Sequence, residues 1–302
     1  MRPLIFALPG NEALTLNLCR LLDAEAGQLH LRRFPDGESH IRYANDLTGR
    51  QVMLVCSLDR PDDKAVALYL SACIARELGA AGVGLVLPYL AYMRQDARFH
   101  PGEGISSAHF ARLLCTAADW MVCVDPHLHR HASLSEIYDI PTAVAHAAPE
   151  ISRWIAANVD QPVIIGPDGE SEQWAAEVAK AAGCPCTTLQ KTRRGDRDVE
   201  VSVPDASLLK GRIPVLVDDI VSTASTMVAA AGHLRRLGTL APVCAIVHPV
   251  FAGDAFQLLE RSGVGLIVSC NTIAHPSNGI DIAQPLAASI ALLLKGRAAS
   301  SA

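Results

Sequence analysis

The sequence predicts an α/β protein whose parallel sheets are covered by helices on both faces. Three observations carry that prediction. Short β-branched or apolar runs alternate with stretches of helical periodicity along almost the whole chain, the pattern of repeated strand–helix crossovers. Half of the residues are hydrophobic but only 5% are aromatic, which describes an interior of Ala, Val, Leu and Ile and excludes a disordered chain. The length, 302 residues, is enough for one large or two ordinary domains, so folding needs neither a disulfide nor a structural metal.

Leu4–Leu8 is the first predicted strand; Met1-Arg-Pro-Leu-Ile-Phe lacks the long apolar core and small-residue cleavage site of a leader. Strands are expected next at Gln28–Arg33 and Gln51–Cys56, a helix over Asp62–Leu78, and strands at Val83–Leu87 and Trp120–Val124. The second half repeats the scheme. Its strands are Pro162–Gly166, Cys186–Gln190, Ile213–Val217, Val243–Val247 and Gly265–Ser269, with helices over Ser171–Ala182, Ser225–Leu237 and Ala283–Leu294. A seam near residues 140–150 divides the chain into expected domains 1–145 and 146–302. Such sheets bind ligands at the carboxyl ends of their strands. The loops after Leu87, Val124, Gly166, Gln190 and Val217 are therefore the places to look.

The charge balance, 26 Lys and Arg against 31 Asp and Glu, gives a net −5 and argues against nucleic acid as a partner. No membrane span is expected: the run Val83–Met93 is interrupted at Pro88 and stops at Arg94. The nine cysteines are scattered without a Cys-x-x-Cys, the nearest pair being Cys184-Pro-Cys186. Cys56, Cys73, Cys123, Cys244 and Cys270 sit in apolar segments as small hydrophobes, and a reducing cytoplasm is the expected compartment.

The strongest chemical signal is Ile213-Pro-Val-Leu-Val217-Asp218-Asp219-Ile-Val-Ser222-Thr223-Ala224-Ser225-Thr226 ahead of an Ala-rich helix. A buried strand runs into two carboxylates, then a tight loop of hydroxyl and small residues opens a helix. Free N–H groups at a helix start, the dipole and Ser/Thr hydroxyls suit a phosphate monoester. The adjoining carboxylates can accept hydrogen bonds from vicinal sugar hydroxyls, and the whole suits a pentose 5-phosphate. The alternative is an ordinary turn whose Ser and Thr cap the helix.

This fragment resembles the phosphoribosyl-diphosphate loop shared by type I phosphoribosyltransferases and ribose-phosphate diphosphokinases. Further segments are similar to the second family: Phe34-Pro35-Asp36-Gly37-Glu38, Tyr92-Met93-Arg94-Gln95-Asp96, Val124-Asp125-Pro126-His127, Gly166-Pro167-Asp168, Lys191-Thr192-Arg193 and Cys270-Asn271-Thr272-Ile273. The resemblance covers residues 4–295, and a simple phosphoribosyltransferase lacks the N-terminal half. It implies two related phosphoribosyltransferase-like domains, each a mainly parallel sheet flanked by helices, with ATP on the first and ribose 5-phosphate on the second. It further implies attack of the anomeric hydroxyl on the β-phosphorus of Mg-ATP, with Mg2+ held by His127 and Asp168. Phe34, Asp36, Gly37, Glu38, Arg94, Gln95 and Asp96 would bind the nucleotide. Asp218, Asp219, Ser222, Thr223, Ala224, Ser225 and Thr226, with Arg193, would bind the sugar phosphate. Lys191 and Arg193 would be catalytic residues on a mobile loop, and a homo-oligomer is expected. A non-catalytic regulatory paralogue, or an enzyme with altered substrate choice, is the alternative.

Each piece also has a plainer reading. Arg94-Gln95-Asp96 can be a solvated loop, and Lys191-Thr-Arg-Arg-Gly-Asp-Arg197 a solvated basic turn, although a cationic loop is also what phosphoryl transfer uses. His127-Leu-His129-Arg-His131 could be half of a zinc site, but further ligands do not assemble convincingly; His129 and His131 read as turn residues. The absence of a Walker-type Gly-x-x-x-x-Gly-Lys-Ser/Thr excludes a P-loop. Residues 222–226 contain no glycine, so any position there with positive φ carries strain, and Glu170 beside a diphosphate would be repulsive.

Overall fold

In the computed structural model, residues 1–193, 199–202 and 206–300 are described, with backbone alone at 170, 190–193, 199–202, 206 and 297–300. The chain divides into two units: Met1–His146 with Thr272–Ala274 and Ala283–Ala302, and Ala147–Asn271 with His275–Ile282.

The first unit runs β1 (Leu4–Ala7), α1 (Glu12–Leu21), β2 (Glu25–Ala26), β3 (Leu29–Arg33), β4 (Ser39–Tyr43), β5 (Gln51–Val55), α2 (Pro61–Glu77), β6 (Gly82–Leu87), α3 (Ser106–Ala117), β7 (Trp120–Val124) and β8 (Thr142–Ala145). Its six-stranded sheet has the order β2-β1-β5-β6-β7-β8, with every pair parallel. β6 and β7 are buried along their whole length, which is why they read as continuous apolar runs rather than alternating ones. Gly84 lies under the Trp120 indole, and a Cβ at this position would fall inside the ring. Gly84→Ala is therefore expected to cost about 1–3 kcal/mol by overpacking, read as a lower urea midpoint at unchanged slope.

The strand expected at Gln28–Arg33 exists, but outside the parallel sheet. β3 pairs antiparallel with β4, Arg32 opposite His40 and Leu29 opposite Tyr43. The turn chemistry explains the departure. Pro35 presets the first turn residue, and Gly37 supplies φ 95 where the chain closes back. Tyr43 Oη donates to the Ser71 carbonyl at 2.7 Å and ties the hairpin to α2.

The second unit runs α4 (Ala148–Asn158), β9 (Pro162–Gly166), α5 (Glu172–Ala182), β10 (Cys186–Thr188), β11 (Gln190–Arg193), β12 (Val199–Ser202), β13 (Ile213–Val221), α6 (Ser225–Arg236), β14 (Val243–Pro249), α7 (Ala255–Arg261), β15 (Leu266–Cys270) and β16 (Asn278–Ile280). Its sheet order is β10-β9-β13-β14-β15-β16, again all parallel. Counting only sheet strands, both units wind 2-1-3-4-5-6. In both, an antiparallel hairpin is inserted between the second and third strands: β3–β4 in one, β11–β12 in the other. Phe34–Glu38 and Lys191–Arg193 therefore lie on corresponding insertions.

α8 (Ala283–Ser300) departs from the single cut after residue 145. It packs on β7, β8 and α1 of the first unit rather than on the second. Ala283, Leu286, Ala287 and Ile290, spaced for one helix face, are buried in doing so. Periodicity reveals that a helix buries a face; it does not say against which sheet.

Candidate functional site

In the second unit, the winding reverses between β9 and β13, and the crevice outside their carboxyl ends is where such sheets bind ligands. β9 stops at Gly166 and leads into Pro167 and Asp168. β13 was expected to stop at Val217 but continues to Val221, so Asp218 and Asp219 lie within the strand. Pairing with β14 carries it on, Asp218 opposite Ile246 and Ile220 opposite His248. Each carboxylate accepts the next backbone N–H, Asp218 from Asp219 at 3.1 Å and Asp219 from Ile220 at 2.7 Å.

Burial raises the Asp218 pKa well above the ordinary carboxylate range, and the neighbouring charges of Asp219 and Asp168 push it further. Asp219 and Asp168 thus both act on Asp218 at the carboxyl ends of β9 and β13, and Asp219 also shares a side-chain hydrogen bond with it. Asp168 also caps a short 3₁₀ turn: it accepts from Ser171 N at 3.3 Å, while Ser171 Oγ donates to the Asp168 carbonyl at 2.7 Å. The side chain of Glu170 is outside the described residues.

Ser222–Thr226 follows β13 and opens α6, whose start is fixed by packing. Met227, Ala230, Ala231 and Leu234 recur at helical spacing against Val163, Ile165, Leu216 and Ile246 of the sheet. Ala224 adopts φ 59 and ψ 4, so the expected strain of a glycine-free loop falls on this residue, with its methyl buried in the core. No side chain caps α6. Thr223 Oγ1 and Ser225 Oγ pair with each other at 3.0 Å instead, contrary to the capping alternative. The first-turn N–H groups of α6 keep their capacity for an anion.

Lys191 and Arg193 were expected on a loop. Their backbone instead forms β11, Lys191 opposite Val201 and Arg193 opposite Val199. Their side chains, and all of Arg194 and Arg197, are outside the described residues.

In the first unit, Phe34 opens the turn between β3 and β4, its N–H donating to the Glu38 carbonyl at 2.8 Å. The Arg32 guanidinium lies 4.5 Å from its ring centre, and Asp36 Oδ1 accepts from Glu38 N at 3.2 Å. Arg94 is exposed, and Gln95 Oε1 accepts from Ser106 Oγ at 2.6 Å. Asp96 differs from the expectation of a nucleotide contact. Its side chain is only 1% exposed and its Oδ1 lies 2.8 Å from Arg130 Nη1. In this structure the enclosed carboxylate holds Arg130, whose side chain remains 54% exposed beside Phe99. Arg130 is a residue the sequence reading missed, because nothing local signals a partner 34 positions away.

His127 follows β7 with its ring centre 3.9 Å from that of His129. His131 lies 2.9 Å from Glu136 and belongs to a turn, as read. At the first unit's own reversal point, between β1 and β5, side chains bond one another. Buried Asn11 accepts from both Ser57 N and Ser57 Oγ at 3.0 Å, Ser57 Oγ also reaches the Thr272 carbonyl, and Lys64 pairs with Asp59 at 2.5 Å. Of two crevices with one winding, that of the second unit presents paired carboxylates, while in the first Asn11 bonds Ser57 and Lys64 pairs with Asp59.

That winding, with a carboxylate-bearing strand leading into a helix start, suits a protein that binds a sugar phosphate, and a family-model match gives its class as the phosphoribosyltransferase type. Residues 3–118 match the N-terminal domain of ribose phosphate pyrophosphokinase, and residues 133–264 match the phosphoribosyl transferase domain. The ribose-phosphate pyrophosphokinase of Methanopyrus kandleri is 36% identical over 276 residues, covering 90% of this chain and 93% of that one. The enzyme of the same name from Methanothermobacter thermautotrophicus is 35% identical over 289 residues, covering 95% and 99%. In fold, the chain is similar to the phosphoribosylpyrophosphate synthetase of Mycobacterium smegmatis, with TM-score 0.85 and 24% identity over 98% of this chain and 100% of that one. The chain belongs to the ribose-phosphate pyrophosphokinase family, and is a transferase. Among the described residues, no helix is long and apolar enough to cross a membrane.

Proposed function

We propose that this enzyme transfers the diphosphoryl group of Mg-ATP to the anomeric hydroxyl of ribose 5-phosphate, giving 5-phosphoribosyl 1-diphosphate and AMP. The observation that carries the reading is the pairing, on one sheet edge, of the Asp218–Asp219 carboxylates with the uncapped start of α6. The α6 N–H groups and the hydroxyls of Ser222, Thr223, Ser225 and Thr226 would hold the 5-phosphate. Asp218 and Asp219 would accept hydrogen bonds from the ribose hydroxyls, orienting the anomeric oxygen toward the β-phosphorus. A P–O bond forms there as the bond from the β-phosphorus to the α-phosphate oxygen breaks; AMP leaves with that oxygen, and the proton of the anomeric hydroxyl is released to solvent. Lys191 and Arg193 would stabilise charge on the transferring group, where positioning and electrostatics supply most of the rate.

Phe34, Asp36, Gly37, Glu38, Arg94 and Gln95 would hold the nucleotide, with Arg130 in the place expected of Asp96. The carboxylates of Asp168, Asp218 and Asp219 offer oxygen donors of the kind a hard divalent cation takes, and His127 and Asp168 are the proposed Mg2+ residues. When bound, Mg2+ would neutralise charge on the ATP phosphates. Family membership extends the proposal to a cytoplasmic homo-oligomer, which sedimentation of the purified protein tests.

Incubation with ribose 5-phosphate and Mg-ATP, followed by nucleotide analysis, tests the reaction. AMP formed only when the sugar is present supports it; sugar-dependent ADP would mean simple phosphorylation and sink it. For the nucleotide side, Asp96→Asn is expected to loosen Arg130 and raise the ATP KM about tenfold, the low end for a charge-assisted hydrogen bond. The ribose 5-phosphate KM should move less than about twofold, as for distant independent sites. An unchanged ATP KM would remove Arg130 from the nucleotide site.

A further inference from the structure

Beyond the loop that would hold the sugar phosphate, the second unit contains an aromatic cluster that no step above uses. The Phe251 and Phe256 rings are 5.2 Å apart, and the His275 ring lies 4.9 Å from the first and 4.7 Å from the second. All three separations are those of attractive aromatic pairs. The cluster grips a short segment after β14, and that segment touches the loop. Phe251 N donates to the Val221 carbonyl and Ala252 N to the Ser222 carbonyl, each at 2.9 Å. Phe251 also packs against the core that contains Ala224 and Met227.

Phe251 is itself strained, with φ 32, a backbone region that a bulky side chain rarely enters. Such a conformation persists only where its surroundings over-determine it. His275 supplies the far anchor. Its Nδ1 accepts from Ser277 N at 3.2 Å and lies 2.8 Å from Ser277 Oγ, while His275 N donates to Asn278 Oδ1 at 2.9 Å. Ser277 Oγ is 2.7 Å from Ser269 Oγ, and Asn278 Nδ2 donates to Ser269 Oγ at 3.0 Å and to the Cys270 carbonyl at 2.9 Å. Burial lowers the His275 pKa, in keeping with a neutral ring whose Nδ1 is an acceptor. A continuous path therefore runs from the β15–β16 edge through His275 and Phe251 to the two carbonyls where the sugar-phosphate loop begins.

We propose that His275 is a positioning residue for ribose 5-phosphate: through the Phe251–Phe256 cluster it pins the 250–252 segment, and that segment fixes the start of the Ser222–Thr226 loop. The inference rests on the assignment of that loop to the 5-phosphate. His275 touches no substrate. Its effect is to hold Val221 and Ser222 still, so that the strained Ala224 and the α6 N–H groups present one geometry to the anion rather than several.

Full-length His275→Ala and His275→Phe, compared with the parent by hydrogen exchange and steady-state kinetics, test it. In His275→Ala, amides of the segment 221–226 should lose protection, and the ribose 5-phosphate KM should rise on the order of tenfold, a modest share of what misplacement costs. The ATP KM should stay within about twofold, as for an uncoupled site. His275→Phe keeps the ring contacts but loses the Nδ1 anchor to Ser277, so it should recover part, not all, of the protection and sugar KM lost in His275→Ala. Unchanged protection in His275→Ala overturns the pinning, as does failure of His275→Phe to rescue. A parallel Thr226→Ala variant separates the underlying assignment. If His275→Ala loosens the loop while neither variant moves the sugar KM, the loop is not the 5-phosphate site and both readings fall. If Thr226→Ala raises the sugar KM and His275→Ala does not, only the positioning role of His275 is lost.

Discussion

Lys191→Ala is expected to lower turnover with ribose 5-phosphate and Mg-ATP by about 10²–10³, the usual worth of one preorganised donor to a transition state. The residue lies on β11, at the hairpin inserted between the second and third sheet strands of its unit, directly after the strand that borders β9. The bland alternative is a solvated lysine in a basic stretch. Replacing such a residue changes little, within about twofold, because surface substitutions seldom matter. If Lys191 acts only as charge develops on the transferring group, kcat and kcat/KM fall together while the binding of either substrate is nearly kept. Substrate titrations with single-turnover rates on parent and variant distinguish the two. A variant with full turnover would remove Lys191 from catalysis.

Asp218→Asn carries the second large effect, and it has two parts. Losing charge-assisted hydrogen bonds to the ribose hydroxyls removes roughly 1.5–3 kcal/mol, or about ten- to more than a hundred-fold in ribose 5-phosphate binding. ATP binding should be nearly intact. Impaired ATP binding with unchanged sugar dependence would exchange the two proposed sites. The structure adds an effect on stability. Burial, Asp219 and Asp168 raise the folded-state pKa of Asp218 above its unfolded value. Between those two values the unfolded chain binds fewer protons than the folded one, so this group's contribution to stability falls as pH rises. It is fully present below the unfolded pKa and lost above the folded one. In chelator and without ligands, Asp218→Asn should therefore melt higher than the parent by a growing margin as pH climbs through that window. A variant whose margin over the parent does not grow as pH rises would show that the folded-state pKa of Asp218 is not raised by its burial and neighbours.

The Gly84 and Asp218 cases differ in how legible they were. Asp218-Asp219 followed by Ser222–Thr226 was visible because strand, carboxylates, loop and helix start are contiguous in the chain. The buried runs of β6 and β7 were visible for the same reason: each strand carries its own apolar record. The close approach of Trp120 to Gly84 was not, since it joins two strands separated by a whole crossover.

By itself, the sequence determined the fold class, the repeated strand–helix scheme, the family and the carboxylate-bearing strand ahead of a hydroxyl-rich loop. Those follow from contiguous patterns, where period and residue type report on the local chain. Tertiary structure alone decided that Leu29–Arg33 leaves the parallel sheet for a hairpin, that Ala283–Ser300 covers the first unit, and that Asp96 is enclosed against Arg130. It also decided that Asn11 and Ser57 bond each other at one reversal point while Asp168, Asp218 and Asp219 come together at the other. The reason is common to all four. A side chain's chemistry is written in the chain, but its partner is chosen by packing between segments far apart in sequence, and whether a carboxylate meets solvent, an arginine or another carboxylate depends on that choice.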